Sequence, residues 1–220
     1  MILGLDTATP ATAVAVLPDD GEPVELRHEP ALGERPGHAA QLLPLARRAL
    51  QAADATFADV RRIGVGVGPG TFTGLRIGVA TARGLAQAIG AELAPVSTLA
   101  ALAYAADGDR AVLAVLDARR GEAFAAAYRA GEQLAKPVAI PPDDLAELLD
   151  PALAPWLAVG DGAIRFRDRL EPAAEVPADP SALHRVSALA VCRLAGVARP
   201  VDRAALLPDY VRAPDAVPRR

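Results

Sequence analysis

Residues 61–90 read RRIGVGVGPGTFTGLRIGVATARGLAQAIG, and the fold follows from how this stretch is parsed. Arg61–Val67 alternates, with Ile63, Val65 and Val67 on one face of a strand and Gly64 and Gly66 on the other. So bare a face admits another backbone at close range. Gly68–Gly74 is a glycine-rich loop, after which the apolar period lengthens from two to that of a helix. Leu75, Val79, Ala82, Ala86 and Ile89 form one stripe, and Ile77, Ala80, Gly84 and Ala88 another. The helix is expected over Thr73–Ile89, with Gly90 as its C-cap. Only Arg76 and Arg83 are charged within it, which predicts burial nearly all round, inside its own chain or against a partner. Gly74, Gly78 and Ala82 make a small-residue ridge that a second helix can approach closely. Glycines leading into a helix also turn free amides toward its N-terminus, a potential anion seat. Yet the string is not G-x-x-x-x-G-K-[ST], because Lys136 is the only lysine in the chain. Nor is it G-x-G-x-x-G, because Thr73 stands where the third glycine belongs.

Upstream, Ile2–Ala8, Ala11–Leu17 and Val24–His28 read as a three-strand meander, with Asp19-Asp20-Gly21 as a hairpin turn. Glu29–Gly37 is loop. From His38, Ala39, Leu42, Leu43, Ala46, Ala49, Leu50 and Ala53 give a helical stripe, and Pro44 inside it predicts a bend or a start near Gln41. Downstream come a strand over Glu92–Val96, a helix from Ser97 or Thr98 to Ala106, and a break at Asp107-Gly108. The rhythm then restarts: strands over Ala111–Leu116, Glu122–Tyr128 and Gln133–Ile140, a helix over Asp143–Leu149, and a strand over Leu157–Val159. An amphipathic helix over Ala182–Val197, capped by Ser181, precedes a Pro-rich tail. The expectation is one compact α/β chain of two lobes, 1–106 and 107–220.

Composition narrows function. The chain has 220 residues, 52% of them apolar, and a net charge of −4. That balance argues against a protein that grips nucleic acid unaided, since neutralising phosphates requires a basic face. The single cysteine, Cys192, excludes an internal disulfide or a cysteine cluster and reads as an inert buried thiol. No basic leader precedes Asp6 and no charge-free run of 18 apolar residues occurs, so neither a signal peptide nor a membrane span is expected, and the compartment is cytoplasmic. His28, His38 and His184 stand at no helical metal spacing, and each reads as a surface or capping residue. There is no G-x-S-x-G elbow. The residues therefore point to no catalytic group, no metal and no cofactor. Asp6-Thr7 closes the first strand where sugar kinases and actin-like ATPases hold a phosphate with D-x-G-x-T, but Ala8 and Pro10 stand in place of the glycine. An Asx-turn is the plainer reading. With Gly68, Gly70 and Thr71, these residues make up a weak candidate nucleotide or anion loop.

GPGTFTGLRIGVATARGLA (68–86) resembles the TsaB (YeaZ) family, and other segments agree in order and spacing. These are ILGLDTAT (2–9), HAAQLLPLARRAL (38–50), VSTLAALA (96–103), DARRGEAFAAAY (117–128) and PDYVR (208–212). Ala39 replaces the family's serine, and Ala123-Phe124 its Val-Tyr. The resemblance implies a two-lobed actin-like, Hsp70- and sugar-kinase-like (ASKHA) fold with a reduced second lobe. It also implies a non-catalytic accessory subunit. The catalytic relative TsaD holds a metal through H-x-x-x-H, where this chain has Thr98 and Leu102. By the same resemblance the chain pairs with a TsaD-like subunit through first-lobe helices, recruits a TsaE-like ATPase, meets tRNA only through that complex, and forms a homodimer when isolated. The assembly modifies the adenosine beside the anticodon. Expected interface residues are His38, Leu42, Leu43, Leu45, Arg76, Val79 and Arg83, the apolar ones as anchors and the arginines facing carboxylates. Two rival readings are an ATP-binding or phosphotransfer enzyme of the same fold and a peptidase.

Overall fold

The computed structural model describes residues 1–31, 33–106 and 108–211. The meander forms as β1 (Ile2–Asp6), β2 (Thr12–Leu17) and β3 (Val24–His28), paired antiparallel in sequence order. β4 (Arg62–Gly68) then joins β1 in parallel, and β5 (Glu92–Ser97) joins β4 in parallel, giving the order β3-β2-β1-β4-β5. Parallel neighbours need crossovers. They are supplied by α1 (His38–Ala52) and α2 (Phe72–Ile89), which share one face of the sheet. There Leu3, Leu5, Val14, Val16, Ile63 and Val65 meet the inner sides of both helices.

The opposite face explains the glycines of β4. Gly4 and Gly64 stand side by side in register. A Cβ on Gly64 would lie 2.5 Å from the Ala195 Cβ, and one on Gly4 would collide with the Ala188 carbonyl oxygen. Both belong to α6 (Ala188–Val197), so the backbone that the bare strand face admits is that of the last helix. The second sheet has the order β10-β9-β6-β7-β8, built from β6 (Ala111–Arg119), β7 (Glu122–Arg129), β8 (Glu132–Ile140), β9 (Trp156–Val159) and β10 (Ala174–Glu175). Between the sheets, α3 (Thr98–Tyr104) and α6 fill a common core in which Leu99, Leu102 and Val191 meet Leu116, Phe124 and Val159. This is the two-lobed α/β architecture expected of an ASKHA-type chain.

Several local expectations change. α1 begins at His38 and runs through Pro44, which faces solvent, instead of restarting at Gln41. The helix expected over Ala182–Val197 divides because two serines cap in turn. Ser181 accepts from the Leu183 amide to close a short 3-10 turn, and Ser187 accepts from the Ala190 amide to start α6. The helix expected over Asp143–Leu149 is a 3-10 segment, Pro142–Leu148. Two short helices, α4 (Asp161–Arg165) and α5 (Arg167–Leu170), appear where none was expected. Residues 107–220, expected as the second lobe, are divided as well, because α6 and the tail return to the first sheet. The Val201 amide donates to the Leu93 carbonyl, the Asp209 amide to the Val67 carbonyl, and Leu206 enters the first-lobe core. Asp107, expected at the lobe break, lies outside the described residues, as do residues 212–220. Glu25, Arg27 and Glu29 at the sheet edge hold the start of α6. Glu25 accepts from the Ala188 amide at 2.6 Å and the Ser187 hydroxyl at 3.0 Å, Arg27 donates to the Val186 carbonyl at 2.8 Å, and Arg185 faces Glu29.

Candidate functional site

The loop after β4 and the end of β1 come together, as the candidate anion loop requires, but their polar groups are turned on each other. The Thr71 amide donates to the Ala8 carbonyl at 2.7 Å. The Ala8 amide donates to Asp6 Oδ1 at 3.0 Å, and Thr7 Oγ1 donates to the Gly74 carbonyl at 2.7 Å. A Cβ on Gly70 would lie 2.5 Å from the Ala8 carbonyl oxygen, and Gly68, with φ +130°, lies against the Asp209 carbonyl. The anion seat expected of Asp6, Thr7, Gly68, Gly70 and Thr71 is therefore corrected: Ala8 packs directly on the loop, and two amides that an anion would need are already donating inward. The ridge of Gly74, Gly78 and Ala82 is corrected with it. A Cβ on Gly78 would lie 2.5 Å from Thr7 Oγ1, and one on Gly74 would strike the Thr7 carbonyl, so the ridge receives the β1–β2 turn and not a partner helix.

Asp6 is 1% exposed, and Thr98 Oγ1 lies 3.5 Å from its Oδ2. Burial pushes its pKa up to about 6, with the Ala8 amide, Arg27 and Thr98 opposing. The second lobe repeats the placement at the end of its own first strand. The Asp117 amide donates to Asp161 Oδ1 at 3.0 Å, and Asp117 Oδ2 takes Arg165 at 2.8 Å and Arg119 at 3.2 Å. Burial also raises the pKa of Asp161. Sequence reasoning missed this pair; its signal is an aspartate near the end of the leading strand of each sheet.

The histidines are a further correction to the surface reading. His38 is 3% exposed, with Nδ1 at 2.8 Å from the Thr12 hydroxyl, and burial lowers its pKa, helped by His28. His184 is buried as well, with Nε2 3.0 Å from the Pro177 carbonyl and Nδ1 against Gly160. Among the described residues no group of three or more His, Cys, Asp or Glu is placed to hold a metal ion. Thr98 and Leu102 are both fully buried. Cys192 is inert: burial foremost, then Glu25, pushes its thiol up to about 12.

The outward side of α1 and α2 is open to solvent. Here the expected interface residues separate. His38, Leu42 (1% exposed), Leu45 and Val79 (4%) belong to the protein's own interior and cannot anchor a contact. Leu43, 46% exposed, and Arg76 face outward, and Arg83 is half-buried. Nor is α2 buried all round, since Ala80, Gly84, Gln87 and Ala88 are exposed, and nothing lies within 4 Å of where a Gly84 Cβ would be. On helices this apolar, the periodicity alone does not say which side meets the sheet. At the start of α2, the Arg76 guanidinium lies 3.7 Å over the Phe72 ring, and its Nε donates to the Tyr210 hydroxyl at 2.9 Å. The Phe72 and Tyr210 rings stack with centroids 5.4 Å apart. Both aromatics are exposed and were not anticipated as surface residues.

Residues 31–167 match the family model described as TsaD, tRNA N6-adenosine threonylcarbamoyltransferase. The chain is 36% identical over 171 residues to the tRNA threonylcarbamoyladenosine biosynthesis protein TsaB of Escherichia coli (strain K12), covering 73% of this chain and 71% of that one. It is 35% identical over 145 residues to an uncharacterised protein of Mycobacterium leprae (strain TN), covering 66% of this chain and spanning 40% of that relative's length. Among solved structures, YeaZ from Pseudomonas aeruginosa superposes with a TM-score of 0.80 at 32% identity, covering 95% of this chain and 98% of that one. Among the described residues, no helix is long and apolar enough to cross a membrane.

Proposed function

The chain belongs to the TsaB (YeaZ) family, and we propose that it serves in making threonylcarbamoyladenosine on tRNA as a non-catalytic subunit. In this reading it pairs with a TsaD-like catalytic subunit through the outward face of α1 and α2, and the pair recruits a TsaE-like ATPase. Isolated, the chain pairs with itself, and it meets tRNA only within the complex. The assembly modifies the adenosine beside the anticodon. The observation that carries the reading is the character of that face. Two adjacent helices expose Ala39, Ala40, Leu43, Ala80 and Gly84, a low surface that a partner's helices can approach to backbone distance. The potentially reactive loop beside it is closed on Ala8, which supports a scaffold over a phosphotransfer enzyme.

The test is reconstitution with a TsaD-like catalytic subunit, a TsaE-like ATPase, threonylcarbamoyl adenylate and tRNA. Modified nucleoside is expected only when this chain is present with the catalytic subunit. An Ala80→Trp variant, folded by circular dichroism, is expected to lose both pairing and product. Formation of product by this chain alone would overturn the reading. Saturable micromolar binding of ATP to the isolated chain would favour the phosphotransfer enzyme instead.

A further inference from the structure

We infer that the outward face of α1 and α2 selects an acidic protein surface over a second copy of this chain. The inference rests on the pairing face proposed above and adds what chooses the partner. The two helices hold 15 and 18 residues, and neither contains an aspartate or a glutamate. They carry Arg47, Arg48, Arg76 and Arg83, the first three exposed and the fourth half-buried. Among the described residues none of the four makes an ion pair, although the chain has 27 acidic residues against 23 basic ones. The exposed side of these helices thus carries arginines and no carboxylate of its own on a protein of net charge −4, with Arg83 at its flank lining a cavity shared with Glu92 and Asp202.

Arg76 is also held in place. Its guanidinium lies over Phe72 and is bonded to Tyr210, so its charge stays fixed beside the face. The exposed Ala39, Ala40, Ala80 and Gly84 on the same two helices let a partner come close enough to exclude water, which strengthens every charge at the contact.

In a twofold pairing each copy presents the same patch to the other. The exposed Arg47, Arg48 and Arg76 of one copy would then meet the same arginines of the other, with no carboxylate on either helix pair to answer them. Juxtaposed like charges suppress wrong partners, whereas a complementary acidic surface is drawn in and held. Mobile salt screens exposed charges beyond about 8 Å at physiological ionic strength. The two pairings must therefore respond to salt with opposite signs.

The experiment combines sedimentation velocity of the isolated chain with fluorescence titration against a TsaD-like catalytic subunit, each at about 0.05 M and about 0.5 M NaCl. Affinity for the catalytic subunit is expected to fall about tenfold or more as salt rises, while self-association stays level or strengthens. The double variant Arg47→Glu/Arg48→Glu changes only exposed side chains. It is expected to weaken the heterologous pair by about tenfold or more, and to associate with the wild-type chain more tightly than either associates with itself. Self-association weakened by salt would overturn the inference. Ala80→Trp separates this inference from the reading beneath it. If that variant abolishes pairing while salt and the double variant leave it unchanged, the face stands and the charge argument fails. If Ala80→Trp also leaves pairing intact, the face itself is wrong and the inference falls with it.

Discussion

Replacing Asp6 by Asn probes the best-defined electrostatic feature of the protein. Asp6 closes β1 in a fully buried position, and burial raises its pKa from 3.8 to about 6. Because the folded value lies above the unfolded one, the native state binds more protons than the unfolded chain between those limits. Stability therefore falls as pH rises through the window and stays lower above it. At about 1.4 kcal/mol per unit, the shift of roughly two units is worth about 3 kcal/mol, of which about 2 kcal/mol falls between about pH 4.5 and about pH 7.5. Asparagine keeps an acceptor for the Ala8 amide and turns an NH2 toward the Thr98 hydroxyl, so the bonds survive while the buried charge is removed. Urea unfolding of both proteins at several pH values in that range measures the difference. The Asn variant is expected to gain on the wild type by about 2 kcal/mol across the window and then hold level. Parallel stability curves over the whole range would refute the argument, because they would mean that Asp6 does not ionise in isolation from water.

Gly74→Ala places a methyl group against the Thr7 carbonyl, a backbone atom that cannot swing away, and is expected to lower stability by about 3 kcal/mol, read from the thermal midpoint. Leu43→Glu, on the open side of α1, is expected to change stability by less than about 0.5 kcal/mol while weakening pairing with the catalytic subunit, read by the same melt and a binding titration. Val79→Arg is expected to behave oppositely: it drives a charge into the interior and should unfold the chain, giving a loss of helical circular dichroism before any effect on a partner is measurable. Cys192 is expected to resist a thiol reagent such as Ellman's in the native protein near neutral pH and to react at once in denaturant, followed by absorbance.

The parts of this protein legible in its residues are those governed by short-range pattern. Alternation in Arg61–Val67 and in the N-terminal meander located the strands, and Gly64 announced a close neighbour without naming it. The orientation of α1 and α2 was not legible, because a helix apolar on most sides gives no sign of which side the sheet takes. Leu42 and Val79 were thus assigned outward when they point in. The histidines misled for a related reason. A lone imidazole looks like surface until the hydroxyl that receives it is known, and Thr12 reaches His38 from 26 residues away. Phe72 and Tyr210 lie still farther apart along the chain, so no local signal brings them together. The glycine-rich loop into α2 is legible in the residues, but Ala8 reads there only as a missing glycine and not as the side chain that packs against the loop.

The return of α6 to the first sheet sets an order of events for a chain made from its N-terminus. β1 leaves the ribosome nearly two hundred residues ahead of Ala188–Ala195, and the groove over Gly4 and Gly64 stays uncovered until those residues emerge. Throughout that interval the half-built sheet presents an unshielded greasy side to its surroundings, a condition that invites clumping and attracts chaperones. A chain cut short anywhere between Gly64 and Ala188 is not a smaller working lobe but an unfinished one, a ready substrate for proteolysis.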